Sequence, residues 1–238
     1  MQFIEVTEFA GVRSARLTLR STASRLEFVL FPMVHLGEQR FYDEVTEHLH
    51  ACDLVIAERA GIAPGHPARC LPLSYRLAAG TERLGLVVQD IDLEGLQGLG
   101  IPVIVPDIEP EEFERGWTRV PLFDAIALPA AAVGFGAWMR WFGTRRQLAE
   151  SLERNDLPTL DDLEVADRWE AVVELIVDTR DRILTERIRM LHEERRDEAL
   201  RVAVVWGAEH MRAVVQALHA LRYRVTDGDW MTVFLLDH

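Results

Sequence analysis

Residues 26–58, LEFVLFPMVHLGEQRFYDEVTEHLHACDLVIAE, decide the fold class. The stretch begins with a nearly continuous apolar run, which is typical of a strand buried on both faces, and Pro32 predicts the end of that strand. Glu38 to Cys52 predicts a helix, because apolar residues recur there at i, i+4 and i+8. Leu54 to Ala57 is a second apolar strand, and it runs directly into Glu58.

The same order of strand, histidine, helix and strand recurs near the C-terminus. Val202 to Trp206 is an apolar run, and the sequence Gly207-x-x-His210 leads into a second helical pattern. In both copies a histidine, His35 or His210, comes after the carboxyl end of a strand. Alternating strands and helices predict a parallel sheet, whose carboxyl edge is where ligands bind.

Outside these two units the pattern predicts further strands and a helical region. Runs of strand length lie at Leu84–Val88, Ile101–Val105, Arg222–Thr226 and Met231–Leu236, and Asp227-Gly228-Asp229 predicts a turn between the last two. Residues 61–72 predict a loop. We therefore predict one α/β domain over residues 1–238, with a mixed, largely parallel sheet and a helical insertion at about 107–200.

Composition excludes several classes of protein. The 26 basic residues are all arginine and are outnumbered by 39 acidic residues, which gives a net charge of −13. A nucleic-acid binder usually presents a basic face, so we expect no nucleic-acid partner. The absence of lysine also excludes a Schiff-base lysine and a P-loop lysine.

The termini and the apolar segments predict a protein of the cytoplasm. Met1 to Ala10 lacks the apolar core of a signal peptide. The longest apolar stretch, Ala125 to Met139, falls short of the roughly 20 residues that span a bilayer, so we expect no membrane span. The segment around Ala125–Phe142 is interpreted as a buried helical hairpin, with a lid or partner-binding surface as the alternative. The strand Met231–Leu236 fits either an edge that pairs in a homo-oligomer or a central strand.

Three side chains share the strand-end position and predict a catalytic centre. Glu58 is a lone carboxylate after a buried strand, so it requires a cation, a metal or solvent. Two neutral imidazoles, His35 and His210, together with Glu58 make a set that would bind a divalent transition metal such as Mn, Co or Zn. Such a metal would lower the pKa of bound water and supply hydroxide.

Two further residues are candidates with ordinary alternatives. Arg180 would bind a substrate carboxylate or stabilise an oxyanion, but it fits a surface ion pair as well. Glu209, beside His210, would act as a base or contact substrate, but it also fits an acidic residue in the first turn of a helix.

The chain resembles the TraB/PrgY and TIKI superfamily, which includes GumN-like proteins and has been related to erythromycin esterases. The segments that carry the resemblance are Phe31–His35, Phe41–Glu44, Asp53–Glu58, Thr179–Ile188 and Val204–His210. Pro32, where the family has glycine, and Glu209, where a small residue is common, depart from the pattern.

The resemblance implies metal-dependent hydrolysis, in some members directed at peptides. Carried over by position, His35 and His210 would be metal ligands or catalytic histidines, Glu58 the acid/base or third ligand, and Arg180 the oxyanion or substrate group. We expect Tyr42, within the second of these segments, to contact substrate together with Glu209.

The predicted function is therefore hydrolysis of a peptide or a small amide or ester by metal-activated water. Two alternatives stay open. One is a non-catalytic protein that sequesters a peptide or hydrophobic ligand and has a larger apolar pocket. The other is a metal-free esterase-like hydrolase in which His35 is the general base.

Overall fold

The computed structural model describes residues 1–58, 66, 70–156 and 170–236. Seven strands form one sheet in the order β1-β2-β3-β8-β5-β7, with β9 paired to β2, and two short strands, β4 and β6, pair separately. The strands are β1 (Ile4–Thr7), β2 (Gly11–Arg20), β3 (Glu27–Met33), β4 (Leu36–Gly37), β5 (Leu54–Ala57), β6 (Val87–Val88), β7 (Val103–Ile104), β8 (Arg201–Gly207) and β9 (Arg224–Phe234).

Helices cover both faces of this sheet. In chain order they are α1 (Gln39–Leu49), α2 (Cys70–Ala78), α3 (Leu93–Gly98), α4 (Pro110–Trp117), α5 (Leu122–Trp141), α6 (Arg145–Asp156), α7 (Glu170–Val173), α8 (Thr179–Arg195) and α9 (Met211–Ala220). A π-helical turn (Glu174–Asp178) joins α7 to α8, and a 3-10 turn (Ala208–His210) joins β8 to α9.

The parallel half of the sheet determines where the predicted site residues lie. β3, β8, β5 and β7 are neighbours in that order, and each adjacent pair is parallel. Their carboxyl ends therefore meet at one edge. β1, β2 and β9 extend the sheet with antiparallel pairs. The predicted mixed, largely parallel α/β sheet is confirmed.

The core has two layers because strand residues alternate between the two faces. On one face α1 packs against Phe31, Val55 and Val205. On the other face Leu184 and Ile188 of α8, with residues of α9, pack against the intervening strand positions. The periodicity of α1 predicted its buried side, although the helix is shorter than Glu38–Cys52.

Pro32 does not end β3 as predicted. The strand continues through Pro32, which aligns with Trp206 of β8, and ends at Met33. Proline lacks an N–H, so it is tolerated where a strand has no ladder partner on that side. The antiparallel ladder between β2 and β3 ends at Leu30, so position 32 lies beyond the residues that β2 pairs with.

The predicted turn at Asp227-Gly228-Asp229 is wrong, since these residues lie within the single strand β9. β9 pairs with β2 from Val12 to Arg20, with register irregularities. The long ladder to β2 overrides the local turn preference, and the exposure of most of β9 explains its polar residues. The other two predicted runs form only the short strands β6 and β7.

The predicted buried hairpin at Ala125–Phe142 is also wrong. α5 is one helix of 20 residues that packs against α2 on one side and leaves most of its apolar surface exposed. Among the described residues it is the one helix long and apolar enough to cross a membrane, and 11% of that window is buried. The helix is therefore not too short to span a bilayer, because it extends beyond Ala125–Met139 at both ends.

Parts of two predictions lie outside the described residues. The predicted loop at residues 61–72 is described only at His66 and from Cys70, where α2 begins. The helical region between residues 107 and 200 is described as α4 to α6 and as α7 to α8, without residues 157–169.

Candidate functional site

Four strand ends bring polar side chains to one edge of the sheet. His35 lies two residues after β3, Glu58 comes directly after β5, and the turn after β8 carries Glu209 and His210. Asp107 comes after β7, on the outer side of β5. Because β8 lies between β3 and β5, the two predicted histidines and Glu58 converge on the same edge.

Glu58 is the fixed anion of the site. Its Oε2 accepts a hydrogen bond of 2.7 Å from the backbone N–H of Gly207, and its Oε1 lies 2.9 Å from Nη1 of Arg180. Burial alone would raise the pKa of Glu58, but Arg180, His35, His210 and the Gly207 N–H together lower it. The carboxyl group is therefore ionised at neutral pH, and both of its oxygens have a donor.

Arg180 is shared between two carboxylates. Its Nε and Nη2 donate to the two oxygens of Asp107 at 2.9 and 3.0 Å, while Nη1 faces Glu58. Its guanidinium also lies over the ring of Trp206, 5.4 Å from the centroid. Burial would lower the pKa of Arg180, but the two carboxylates raise it. With its nitrogens engaged in this way, Arg180 positions Glu58 and is not placed to bind a substrate carboxylate.

His210 is fully buried rather than open to substrate. Its Nδ1 lies 2.7 Å from Oδ1 of Asp181, and its ring packs edge-on against Trp206. Nε2 is buried without a hydrogen-bond partner among the described residues and lies 3.5 Å from Glu209. Burial would lower the pKa of His210, but Asp181, Glu209 and Glu58 raise it. In turn, His210 contributes to the lowered pKa of Glu58.

Gly207 lets these groups approach one another. A Cβ at this position would lie 3.3 Å from Oε2 of Glu58, 3.4 Å from Cδ2 of His210 and 3.7 Å from the carboxyl carbon of Glu209. The backbone at the end of β8 therefore lies directly against Glu58, His210 and Glu209, where a side chain would be tightly confined.

His35 has a different environment from His210. It is partly exposed, and its ring stacks on Tyr75 of α2 with centroids 4.4 Å apart. It lines a cavity of about 80 Å³ together with Tyr75, Gly207 and Glu209. No hydrogen bond to its ring occurs among the described residues, and it interacts electrostatically with Glu58. His35 is therefore the imidazole of the site that a substrate in this cavity would meet.

Tyr75 and Glu209 complete the wall of the cavity. Burial, together with the charges of Glu209 and Glu58, raises the pKa of Tyr75 to about 12, so its phenol keeps its proton at neutral pH and can donate it in a hydrogen bond. Glu209 lines the cavity with an exposed carboxylate. The contact of Glu209 with substrate stays a prediction.

The structure places Tyr42 in the core, away from the cavity. It is 1% exposed, and its hydroxyl donates to the carbonyl oxygen of Val34 at 3.0 Å. Burial raises its pKa. Tyr42 therefore holds the segment that carries His35 instead of contacting substrate as expected.

Glu58, one of the predicted metal ligands, already has its charge balanced in this arrangement, because both of its oxygens have donors and its neighbouring cation is Arg180. Nδ1 of His210 is paired with Asp181, so Nε2 is the nitrogen that a metal would use. Across the described ranges, no group of three or more His, Cys, Asp or Glu side chains is arranged to hold a metal ion. Around Glu58 the described side chains form an ion-pair network with Arg180 and Asp107.

Sequence reasoning missed Asp107, Asp181 and Tyr75. Asp107 could have been found, since it comes after an apolar run closed by proline, just as Glu58 comes after its own strand. Asp181 is adjacent to Arg180, but helical spacing alone did not indicate which face of α8 meets the sheet. Tyr75 lies on a helix after the predicted loop, and no pattern linked it to the site.

Comparisons with models of protein families, with curated proteins and with solved structures find no match to this chain. The resemblance to the TraB/PrgY and TIKI superfamily therefore stays a prediction.

Proposed function

We propose that this protein is a hydrolase that cleaves a small ester or amide without a metal ion, with His35 as the general base. The observation that carries the proposal is the difference between two neighbouring side chains at the carboxyl edge of the sheet, His35 and Glu58. His35 is partly exposed in a cavity and has no hydrogen bond to its ring within the described ranges, while the neighbouring carboxylate is fixed in its ionised form. A general base needs this freedom to reach the proton that it removes.

The reaction begins with a water molecule in the cavity. An imidazole nitrogen of His35 removes a proton from this water as its oxygen attacks the carbonyl carbon of the substrate. The imidazolium that forms returns the proton to the departing alcohol or amine when the carbonyl–heteroatom bond breaks. His35 ends in its starting state, so no oxidant, reductant or further reactant is required.

Glu58 favours the proton transfer through its charge. A carboxylate near an imidazole stabilises the cationic imidazolium more than the neutral ring. Arg180 and the Gly207 N–H hold Glu58 in place, and Asp107 holds Arg180. This network does not reorganise during the reaction, which is the condition for efficient electrostatic stabilisation.

Tyr75 and Glu209 define the substrate that suits the cavity. The protonated phenol of Tyr75 can donate a hydrogen bond to the oxygen on which negative charge develops. Glu209 adds negative charge at the wall, and Arg180 is already engaged, so an anionic substrate is disfavoured. We infer a neutral or positively charged ester or amide.

The size of the cavity supports hydrolysis over sequestration. A volume of about 80 Å³ is well below the roughly 300–1,000 Å³ of pockets that enclose drug-sized ligands. It accommodates water and the reacting group, with the rest of the substrate outside. A protein that sequesters a hydrophobic ligand requires a larger apolar pocket.

The test measures hydrolysis of chromogenic short-chain esters and aminoacyl anilides in the presence and absence of a chelator. We expect the His35→Gln variant to lose about 100- to 10,000-fold in activity, the usual contribution of a general base. The matched control is His219→Gln, an exposed histidine on α9. Activity that a chelator abolishes and Mn²⁺, Co²⁺ or Zn²⁺ restores would contradict this proposal and favour the metal-dependent alternative.

A further inference from the structure

The outer surface of α5 is a continuous apolar stripe. Its large side chains are 42% to 78% exposed, and the shorter residues between them are also exposed. The large side chains are Leu122, Phe123, Ile126, Phe135, Trp138 and Trp141 of α5, together with Phe142, the residue directly after the helix. Water-soluble monomers rarely expose an apolar patch of this extent, so the stripe requires an occupant.

The stripe extends from Leu122 to Phe142, so its midpoint along the helix axis lies at the level of position 132. Most of its large residues lie towards the two ends, while Phe135 lies near the middle beside the small exposed residues Ala130 and Gly134. Gly134 has no atom within 4 Å of the position where a Cβ would be, so the centre is open to close approach. In a helix pair that runs antiparallel about this midpoint, the facing exposed residues are Leu122 and Phe142, Phe123 and Trp141, Ile126 and Trp138, and Ala130 and Gly134.

We infer that a second copy of this chain covers the stripe and that two α5 helices pack antiparallel across a two-fold axis that passes between the exposed positions Ala130 and Gly134. A two-fold interface must be self-complementary, with the same patch used by both subunits. The small residues near the axis allow the two backbones to approach, and the large side chains at each end pack against those at the opposite end of the partner helix.

The exposed area agrees with such a dimer. If each of the seven large apolar side chains has roughly 150–200 Å² of surface and is on average about two-thirds exposed, the stripe presents on the order of 700–900 Å² per protomer. A standard stable interface buries about 800 Å² per partner. The stripe alone is therefore of the size that a specific homodimer needs.

A bilayer suits this helix less well, although its length and composition would allow a span. The inner side of α5 is fixed to the domain: a Cβ at Gly136 would lie 2.5 Å from the carbonyl oxygen of Ser74 in α2. Arg83 also donates a hydrogen bond of 2.9 Å to the carbonyl oxygen of Met139. A spanning orientation would carry α2 and Arg83 into the hydrocarbon, whereas a dimer uses only the exposed stripe.

The first test measures the mass of the full chain in solution by analytical ultracentrifugation. We expect a dimer of the 27.1 kDa chain. The Gly134→Arg variant places a charge at the centre of the interface and should weaken dimerisation at least about tenfold, because it buries an unpaired charge. The monomer has open space at this position, and arginine favours a helix more than glycine does, so the variant should stay folded, as measured by circular dichroism.

The matched control is Gly98→Arg, a glycine of α3 that also has no atom within 4 Å of its missing Cβ. This variant should dimerise as the wild type does. Wild-type protein that is monomeric, or a dimer that persists in Gly134→Arg, overturns the inference. Co-flotation of wild-type protein with phosphatidylcholine or phosphatidylglycerol vesicles, lost in Gly134→Arg, would overturn it in favour of a lipid surface.

The second test determines the direction of packing by disulfide cross-linking. In the antiparallel pair position 130 faces position 134 of the partner. A mixture of the single variants Ala130→Cys and Gly134→Cys should therefore cross-link more efficiently than either variant alone. Stronger cross-linking within each single variant would indicate parallel packing and would contradict the antiparallel arrangement. Wild-type protein serves as the control for cross-links through the native cysteines.

Discussion

The two strand–histidine units look alike in the sequence but provide different chemical environments. His35, after β3, lies on a segment that leads to the short strand β4, and it is partly exposed beside Tyr75. His210, after β8, lies in a turn that enters α9 directly, and it is fully buried against Asp181. The difference arises from the element that succeeds each strand, because a helix packed on the sheet encloses a side chain that a loop leaves accessible.

This comparison assigns different tasks to the two imidazoles. The accessible ring of His35 can exchange a proton with a molecule in the cavity. The enclosed ring of His210 already has its Nδ1 paired with Asp181 and contributes to the lowered pKa of Glu58. Glu58 connects the two units, since it comes after the second strand of the first unit and accepts a hydrogen bond from Gly207 of the second unit.

The largest effect on stability should come from breaking the network that joins the two units. Arg180→Met removes the cation between Glu58 and Asp107 and leaves two carboxylates in a site where each is about one-tenth exposed. We expect the free energy of unfolding at neutral pH to fall by about 3–5 kcal/mol, measured by urea denaturation.

Arg189→Met on the same helix is the control for that experiment. Arg189 pairs with Glu186, but both side chains are about half exposed, so its loss should cost about 0–1 kcal/mol. Equal losses in the two variants would show that the Glu58–Arg180–Asp107 network does not hold the sheet edge together.

A second pair of variants compares the contributions of the two histidines to stability. His210→Gln leaves Asp181 with a poorer donor inside the protein, so we expect a loss of about 1–3 kcal/mol in the free energy of unfolding. His35→Gln should change it by no more than about 0.5 kcal/mol, because the ring is partly exposed and has no hydrogen bond within the described part of the chain.

Activity should respond in the opposite order to stability. Under conditions in which both variants are folded, His35→Gln should reduce the rate of hydrolysis more than His210→Gln does. If His210→Gln abolished hydrolysis while His35→Gln retained it, the assignment of the general base to His35 would be wrong.

The sequence predicts the features of this site that depend on local patterns, but not those that depend on contacts between residues far apart in the chain. Apolar strands with His35, Glu58 and His210 at their ends predicted the sheet and the shared edge, because parallel strands place their carboxyl ends together. The burial of His210 was not predictable, since it depends on how α8 packs against β8 and brings Asp181 to the ring. Arg180 was recognised as a candidate, but its two partners, Glu58 and Asp107, come from distant strands.

The same distinction explains the errors in the fold. Pro32 and the Asp227-Gly228-Asp229 sequence were interpreted from local preference, and both lie inside strands because of pairing with neighbours. The apolar composition of α5 predicted burial, whereas the structure exposes it. Local sequence patterns predicted which residues lie at the ends of strands, whereas tertiary contacts determine the pairing and burial of each side chain.

The smallest predicted effect is a difference between the two histidines in how their contribution to stability depends on pH. In the folded protein Asp181, Glu209 and Glu58 raise the pKa of His210 above its usual value of 6.5. A raised folded-state pKa contributes stability that is fully present below the unfolded pKa and is lost as the pH rises through the folded pKa. The stability difference between wild type and His210→Gln should therefore be larger at pH 6 than at pH 9.

The same comparison for His35→Gln serves as its control, and urea unfolding at the two pH values measures both. A difference for His210→Gln that grows with pH would mean that the buried ring is neutral when folded, which would remove its electrostatic influence on Glu58.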